Sequence, residues 1–223
     1  MDIVVIISAN AEWRAVKELI PNVQVRMTKV GEYFDTRLAD GRPVRFFHGG
    51  WGKVSAAATA QYAIDSFAPS LIVNLGTCGG IAGRIERGAV ILVERTLIYD
   101  IVEQMSDSEE AIKHYSTTIY LGWLPQPDPH PVQRGLLVSA DRDIVVQDIP
   151  MLVERYGAVA ADWESGAIAW VAKKNEVRVL ILRGVSDLVG SDGGEAYGDY
   201  ELFAQRTREV MKELLEQLPD WIA

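Results

Sequence analysis

The sequence predicts an α/β fold: a mixed central β-sheet flanked by helices, in one three-layer domain covering residues 1–223. Three observations carry this reading. Short runs of Val, Ile and Leu, such as Ile3 to Ile7 and Val179 to Leu182, have the pattern of strands buried on both faces. They alternate with longer stretches that place apolar residues at helical spacing. The chain has 223 residues, 48% hydrophobic and 24% charged, which suits one domain with a sizeable core.

Taken in order, residues 3–7 form a buried strand and residues 11–20 a helix, stopped by Pro21 and Asn22. Residues 23–27, 33–38 and 44–47 have shorter, alternating patterns. Asp40-Gly41 between the last two is a strong hairpin turn, so an antiparallel meander is expected. Residues 53–67 are Ala-rich and helical in spacing, and residues 71–75 and 89–93 return to strand. Residues 105–131 hold an acidic stretch from Asp107 to Glu110 and then Pro125, Pro127, Pro129 and Pro131. They read as a surface excursion. Residues 135–140 follow as strand, 149–156 as a short helix and 158–161 as a brief strand. Residues 164–174 form a helix with Ile168, Val171 and Ala172 on one face. Strand 179–182 stops on Arg183, Ser186 and Asp187. Helix 200–218 closes the chain, with Arg206, Arg208, Glu209 and Lys212 on its outer side.

Composition narrows the function. A net charge of −9 gives no overall attraction for nucleic acid or an anionic membrane, and a small, neutral or weakly charged substrate fits better. Cys78 is the only cysteine, which excludes an intrachain disulfide and a thiolate metal cluster. His48, His114 and His130 lie far apart without metal-ligand spacing, so no metal and no cofactor are expected. The apolar start is too short for a signal peptide or a membrane span. A cytosolic enzyme is the simplest class.

Two glycine-containing turns are expected, at Gly49 to Lys53 and at Gly76 to Gly80. Exposed amides in such turns bind anions or oxygen atoms, and glycine lets a ligand approach the backbone. Neither matches a Walker loop or a dinucleotide loop. Carboxylates mark several strand ends: Glu12 after the first, Asp162 and Glu164 after 158–161, and Asp187 after 179–182. If these strands are parallel neighbours, their ends open on one edge, where ligands of open α/β sheets gather. Each acid alone has an ordinary reading, Glu12 as a first-turn helix residue and Asp187 as a cap.

Five segments change the weighting: Ser8-Ala-Asn-Ala-Glu12, Gly50-Trp-Gly-Lys-Val54, Asn74-Leu-Gly-Thr-Cys-Gly-Gly80, Ala161-Asp-Trp-Glu-Ser-Gly-Ala-Ile-Ala169 and Arg183-Gly-Val-Ser-Asp187. In this order they span most of the chain, which resembles the nucleoside phosphorylase/hydrolase superfamily. Within it the chain resembles the 5′-methylthioadenosine/S-adenosylhomocysteine nucleosidases, including the plant-type methylthioadenosine nucleosidases. The resemblance implies that Asp187 protonates N7 of a purine, directly or through its hydrogen-bonding network. Glu12 orients and deprotonates the attacking water, and Glu164 accepts hydrogen bonds from the ribose hydroxyls and stabilises an oxocarbenium-like state. Arg183 and Ser186 support the water and Asp187, and Thr77, Cys78 and Gly79 line the ribose and base pocket. Ala9, Trp51, Ile144, Asp162, Trp163 and Tyr197 complete the expected binding residues. The implied partners are a purine nucleoside and water, with neither nucleic acid nor membrane. A homodimer or larger homo-oligomer is also implied, residues 105–131 helping to complete a neighbour's 5′ pocket.

Both hydrolases and phosphorylases occur in this superfamily. Phosphorylases usually carry a Gly-Asp-Pro-x-Arg-like segment after the first strand. Here that turn is Ser8-Ala9-Asn10-Ala11-Glu12, whose carboxylate would repel phosphate and activate water. Arg14 keeps phosphorolysis as an alternative, although helix geometry more readily places it on an outer face. A nucleoside-binding domain without turnover is a third reading, opposed by the retention of Glu12, Glu164 and Asp187. Asp162-Trp163-Glu164 stands where Glu-Met-Glu is often found. Trp163 either stacks on the sugar or base or fills core space. Trp51 replaces a smaller apolar residue, which narrows the 5′ pocket against a long homocysteine tail. The loop at Arg142 to Val145 lacks the aromatic residue that bacterial relatives commonly carry. Tyr197 and Tyr200 are lid residues or covers of the last helix.

Overall fold

The computed structural model describes residues 2–223. Its strands are β1 (Ile3–Ile7), β2 (Arg26–Met27), β3 (Glu32–Arg37), β4 (Pro43–His48), β5 (Leu71–Ile81), β6 (Val90–Ile98), β7 (Thr117–Thr118), β8 (Gln133–Ser139), β9 (Ala158–Asp162), β10 (Arg178–Gly190) and β11 (Gly193–Gly194). The helices are α1 (Asn10–Leu19), α2 (Gly52–Phe67), α3 (Ser108–His114), α4 (Ile149–Glu154), α5 (Ser165–Lys174) and α6 (Tyr200–Trp221). All strands belong to one mixed sheet, and the expected meander is present as β2, β3 and β4, paired antiparallel.

β1 lies parallel to β4 and β5, and β5 lies parallel to β10. The inner strands are apolar on both faces, as helices cover both: Val4, Val5, Ile6, Ile7, Ile72 and Val73 are buried. α6 packs on α1 and on β5 and β10, while α5 packs on α2, β6, β8 and β10. β10 also pairs antiparallel with β6, and β6, β8, β9 and β5 follow in neighbouring order, so half of the sheet closes into a ring. Leu97, Leu136, Val138, Ala158 and Val189 belong to a second apolar cluster in this half.

The structure corrects three expectations. Gly76 to Gly80 is not a turn: β5 runs on to Ile81 and pairs with the equally prolonged β10 as far as Val189. Two strands buried side by side satisfy each other's backbone groups, which overrides the weak strand preference of Gly, Thr and Ser. Second, β9 is antiparallel to β5, with Gly79 opposite Ala161, so Glu164 does not reach the site on a parallel neighbour. Third, residues 105–131 are not all surface. Thr117, Ile119, Leu121 and Leu124 are buried, and the last three join the main core.

Candidate active site

Glu12 lies in the first turn of α1, carried there directly from β1, and is buried. Its Oε2 accepts the Ala9 N–H at 3.0 Å, which satisfies one of the amides that a helix start leaves unpaired. Its Oε1 accepts from the Thr77 N–H at 2.6 Å and the Thr77 hydroxyl at 2.9 Å. Three donors on two elements thus hold the carboxylate against the C-terminal half of β5.

β9 delivers Asp162 and, beyond it, Glu164 at the start of α5. Asp162 is fully engaged. It accepts from Ser139 Oγ at 2.6 Å, from the Ser165 amide at 3.1 Å and from the Ser165 hydroxyl, and it pairs with Arg183 Nη2 at 2.9 Å. Glu164 Oε1 accepts the Gly52 N–H at 3.1 Å. Gly52 takes φ +76°, a left-handed backbone that glycine adopts without penalty, and this aims its amide at the carboxylate. Burial and then the charge of Asp162 push the Glu164 carboxyl up to about 8, against the opposing pull of Arg183.

Arg183 is fully buried. It donates to Asn74 Oδ1 at 2.8 Å and Ser165 Oγ at 2.9 Å, and its Nη1 stands 3.6 Å from Glu12 Oε1. Burial works against its charge, and Asp162, Glu12 and Glu164 more than offset this. Arg183, expected among the binding residues as a support for the water and Asp187, does not line the cavity and is a cation behind it. A methyl group on Gly76 would overlap both the Arg183 guanidinium and the Glu12 carboxylate, so only glycine lets this pair cross β5.

Asp187 belongs to the same strand as Arg183. A bulge between Val185 and Asp187 leaves Asp187 opposite Gly79, the place Ser186 would otherwise hold. The Ser186 hydroxyl stands 2.8 Å from Asp187 Oδ1 and 3.3 Å from the Cys78 carbonyl. Burial raises the Asp187 carboxyl above its ordinary value, which the Ser186 hydrogen bond and the more distant Arg206 only partly oppose. Arg206, expected on the outer side of its helix, instead donates to the Ser186 carbonyl at 3.2 Å and pairs with Glu195 at 3.1 Å.

These groups meet at one cavity of about 780 Å³. Glu12, Glu164 and Asp187 line it, together with Ala9, Thr77, Cys78, Gly79, Asp162 and Ser186 from the predicted set. Trp51, Ile144, Trp163 and Tyr197 also line it. Trp163 is only partly buried there, so it is a wall and not core filling. Trp51 sits at the rim, 64% exposed. The Tyr197 hydroxyl donates to the Ile144 carbonyl at 3.1 Å and spans the cavity's edge. Sequence reasoning missed Asn74 and Ser165, which anchor Arg183. It also missed Phe203, which lines the cavity; Arg14, read as either turned into the cleft or more readily outward, is exposed and at the same time lines the cavity, donating to the Tyr200 hydroxyl. Asn74 and Ser165 both fall inside the five segments; for Arg14 the missing signal was the position of α6. Among the described residues, no cluster of three or more His, Cys, Asp or Glu could hold a metal ion. No helix is long and apolar enough to cross a membrane.

Known proteins resemble this chain in sequence, in fold and in family. A 5′-methylthioadenosine/S-adenosylhomocysteine nucleosidase of Listeria welshimeri is 26% identical, covering 98% of this chain and all of that protein. The nucleosidase of that name from Neisseria meningitidis, solved with methylthio-immucillin-A, superposes with a TM-score of 0.73 at 20% identity, covering 97% of this chain and 100% of that one. The futalosine hydrolase of Helicobacter pylori gives 0.78 at 16% identity, with 98% and 97% covered. Over residues 2–218 the sequence matches the phosphorylase superfamily, and the chain belongs to that family.

Proposed function

We propose that this protein is a purine nucleoside hydrolase that cleaves the N-ribosidic bond of 5′-methylthioadenosine or a related adenine nucleoside, S-adenosylhomocysteine included. The observation that carries this is the convergence of Glu12, Glu164 and Asp187 on one cavity, with the fully buried Arg183 guanidinium paired behind the wall. Asp187, raised by burial, gives its proton to N7 of the purine and turns the base into a neutral leaving group. The bond breaks through an oxocarbenium-like state. Glu164 accepts the ribose hydroxyl hydrogen bonds, and these, with the growing positive charge on the sugar, favour its ionised form. Glu12, held by Thr77 and Ala9, orients the water and takes its proton. No cofactor enters this scheme.

Hydrolysis is favoured over phosphorolysis because the attack side presents the buried Glu12 carboxylate, which repels a multiply charged anion. The relatives' names support the adenine thioether class, while the futalosine hydrolase shows that the fold alone leaves the 5′ substituent open. A homodimer is part of the reading. Trp51 at the cavity rim, and Val54, Val102 and Met105, are all 64% exposed or more, apolar surface that a second copy would cover. The setting is cytoplasmic methionine salvage.

Incubation with methylthioadenosine, adenosylhomocysteine, adenosine and inosine, with and without phosphate, tests the assignment by chromatography of the free base. Adenine release without phosphate is expected, from a protein that sediments as a dimer. Ribose 1-phosphate appearing only with phosphate would make it a phosphorylase; binding without release would leave it a sensor.

A further inference from the structure

The cavity does not stop at the sugar. With the base at Asp187 and the ribose hydroxyls at Glu164, the remaining wall leads past Glu12 along α1 and the start of α6. Ala11, Arg14 and Tyr200 line it there, and the same three residues line a second hollow of about 460 Å³ between these helices. A methylthio group is far too small to occupy that space. Two guanidinium groups reach the main cavity, and they differ in one respect. Arg142 is paired with Asp148. Arg14 has no carboxylate at ion-pairing distance among the described residues, and its Nη2 donates to the neutral Tyr200 hydroxyl. In the outer hollow Arg208 is committed to Glu18 at 3.2 Å. In a chain with a net charge of −9, the one cation at the junction of the two hollows is left without an anion.

We infer that Arg14 is a specificity-determining residue that binds a carboxylate at the end of the substrate's 5′ substituent, the tail running from the ribose into the hollow between α1 and α6. This rests on the nucleoside reading of the cavity. The planar guanidinium offers paired N–H donors that match a carboxylate, and Tyr200 holds the group at the tail's exit. Phosphate as a cosubstrate fits Arg14 less well, because it must also stand against Glu12.

Three probes test this: 5′-methylthioadenosine, 5′-S-(3-carboxypropyl)-5′-thioadenosine and the carboxamide of the latter. The acid is expected to exceed the amide in kcat/KM by roughly two- to fivefold, the size of an exposed ion pair. That ratio should shrink as salt is raised, because the group is exposed. Arg14→Gln should bring it to about one, and Arg14→Lys should keep it above one. Equal rates for acid and amide in the native protein, with methylthioadenosine cleaved, overturn the tail assignment alone. A ratio unchanged in Arg14→Gln also overturns it. A phosphate-dependent acceleration of methylthioadenosine cleavage that Arg14→Gln abolishes gives Arg14 to phosphate instead. If none of the three probes releases adenine, the nucleosidase reading falls and this inference with it.

Discussion

Arg183 and Asp187 lie on one strand, yet they create opposite electrostatic regions. Around Arg183 charge is matched: a buried guanidinium meets Asp162 at 2.9 Å and Glu12 at 3.6 Å, and Asn74 and Ser165 take its remaining hydrogen bonds. Around Asp187 charge is left unmatched: the nearest partner is the neutral Ser186 hydroxyl, and no ion pair reaches the carboxyl among the described residues. The difference shows how one strand supplies both a fixed cation and an acid whose hold on its proton is strengthened by burial. The bulge between Val185 and Asp187 separates the two by shifting the alternation of side chains in between.

The sharpest way to break this comparison is to remove the unmatched acid. Asp187→Asn keeps the shape and leaves the Arg183 region untouched, so the thermal midpoint should hold while purine release falls by about 10²–10⁴-fold, the usual contribution of a general acid. The pH profile gives a second reading. Asp187 acts only when protonated, so kcat/KM in the native protein should fall as pH climbs through its raised value. The variant's residual rate should lack that limb. Near-normal turnover would take the acid role from Asp187.

Removing the matched cation should act on folding first. Arg183→Gln strands Glu12 and Asp162 in a dry environment, and loss of one partner from a buried ion pair costs about 3–5 kcal/mol. Denaturant titration measures this. Arg206 offers the contrast on the Asp187 side: it is partly exposed and paired with Glu195, so Arg206→Gln should cost no more than about 1 kcal/mol. Equal losses from the two substitutions would mean that the Arg183 region is no more tightly compensated than the surface.

These regions were unequally legible in the sequence. The beginnings of β1, β5 and β10 were plain, because double burial demands runs of Val, Ile and Leu. The five segments also contained Glu12, Asp162, Glu164 and Asp187, but not Asp143 and Asp199, which line the cavity as well. The continuation of β5 through Gly76-Thr77-Cys78-Gly79-Gly80 was hidden, because those residues favour turns, and only the partner strand makes them extended. The same pairing concealed the bulge, so the strand was read as stopping at Arg183, Ser186 and Asp187 instead of running on to Gly190. The antiparallel run of β9 follows from ring closure, a long-range property that no local pattern encodes. Arg14 was left between two placements for a related reason: helical periodicity assigns it to a face of α1, but whether that exposed face also borders the cavity depends on where α6 packs.

Glu164 tests the boundary between the two regions, with a smaller effect. One guanidinium serves three carboxylates, and Glu164 is the one beyond ion-pairing distance of it, so burial and Asp162 push its carboxyl up to about 8. When unfolded it loses its proton near its ordinary value of 4.5. Between these two values the unfolded chain has released a proton that the folded protein still holds. Stability fully present below about pH 4.5 is therefore lost as pH rises to about 8, and changes no further above it. Glu164→Gln retains an oxygen for the Gly52 N–H and has no proton to lose. The variant's thermal midpoint should thus match the native one near pH 4.5 and exceed it by several degrees at pH 8, each kcal/mol being worth about 2–4 °C in a chain of this size. Asp187 shifts in the same direction, so the pair is best compared in an Asp187→Asn background. A midpoint difference that stays constant across this range would mean that Glu164 is ionised throughout, and that Arg183 compensates all three carboxylates instead of two.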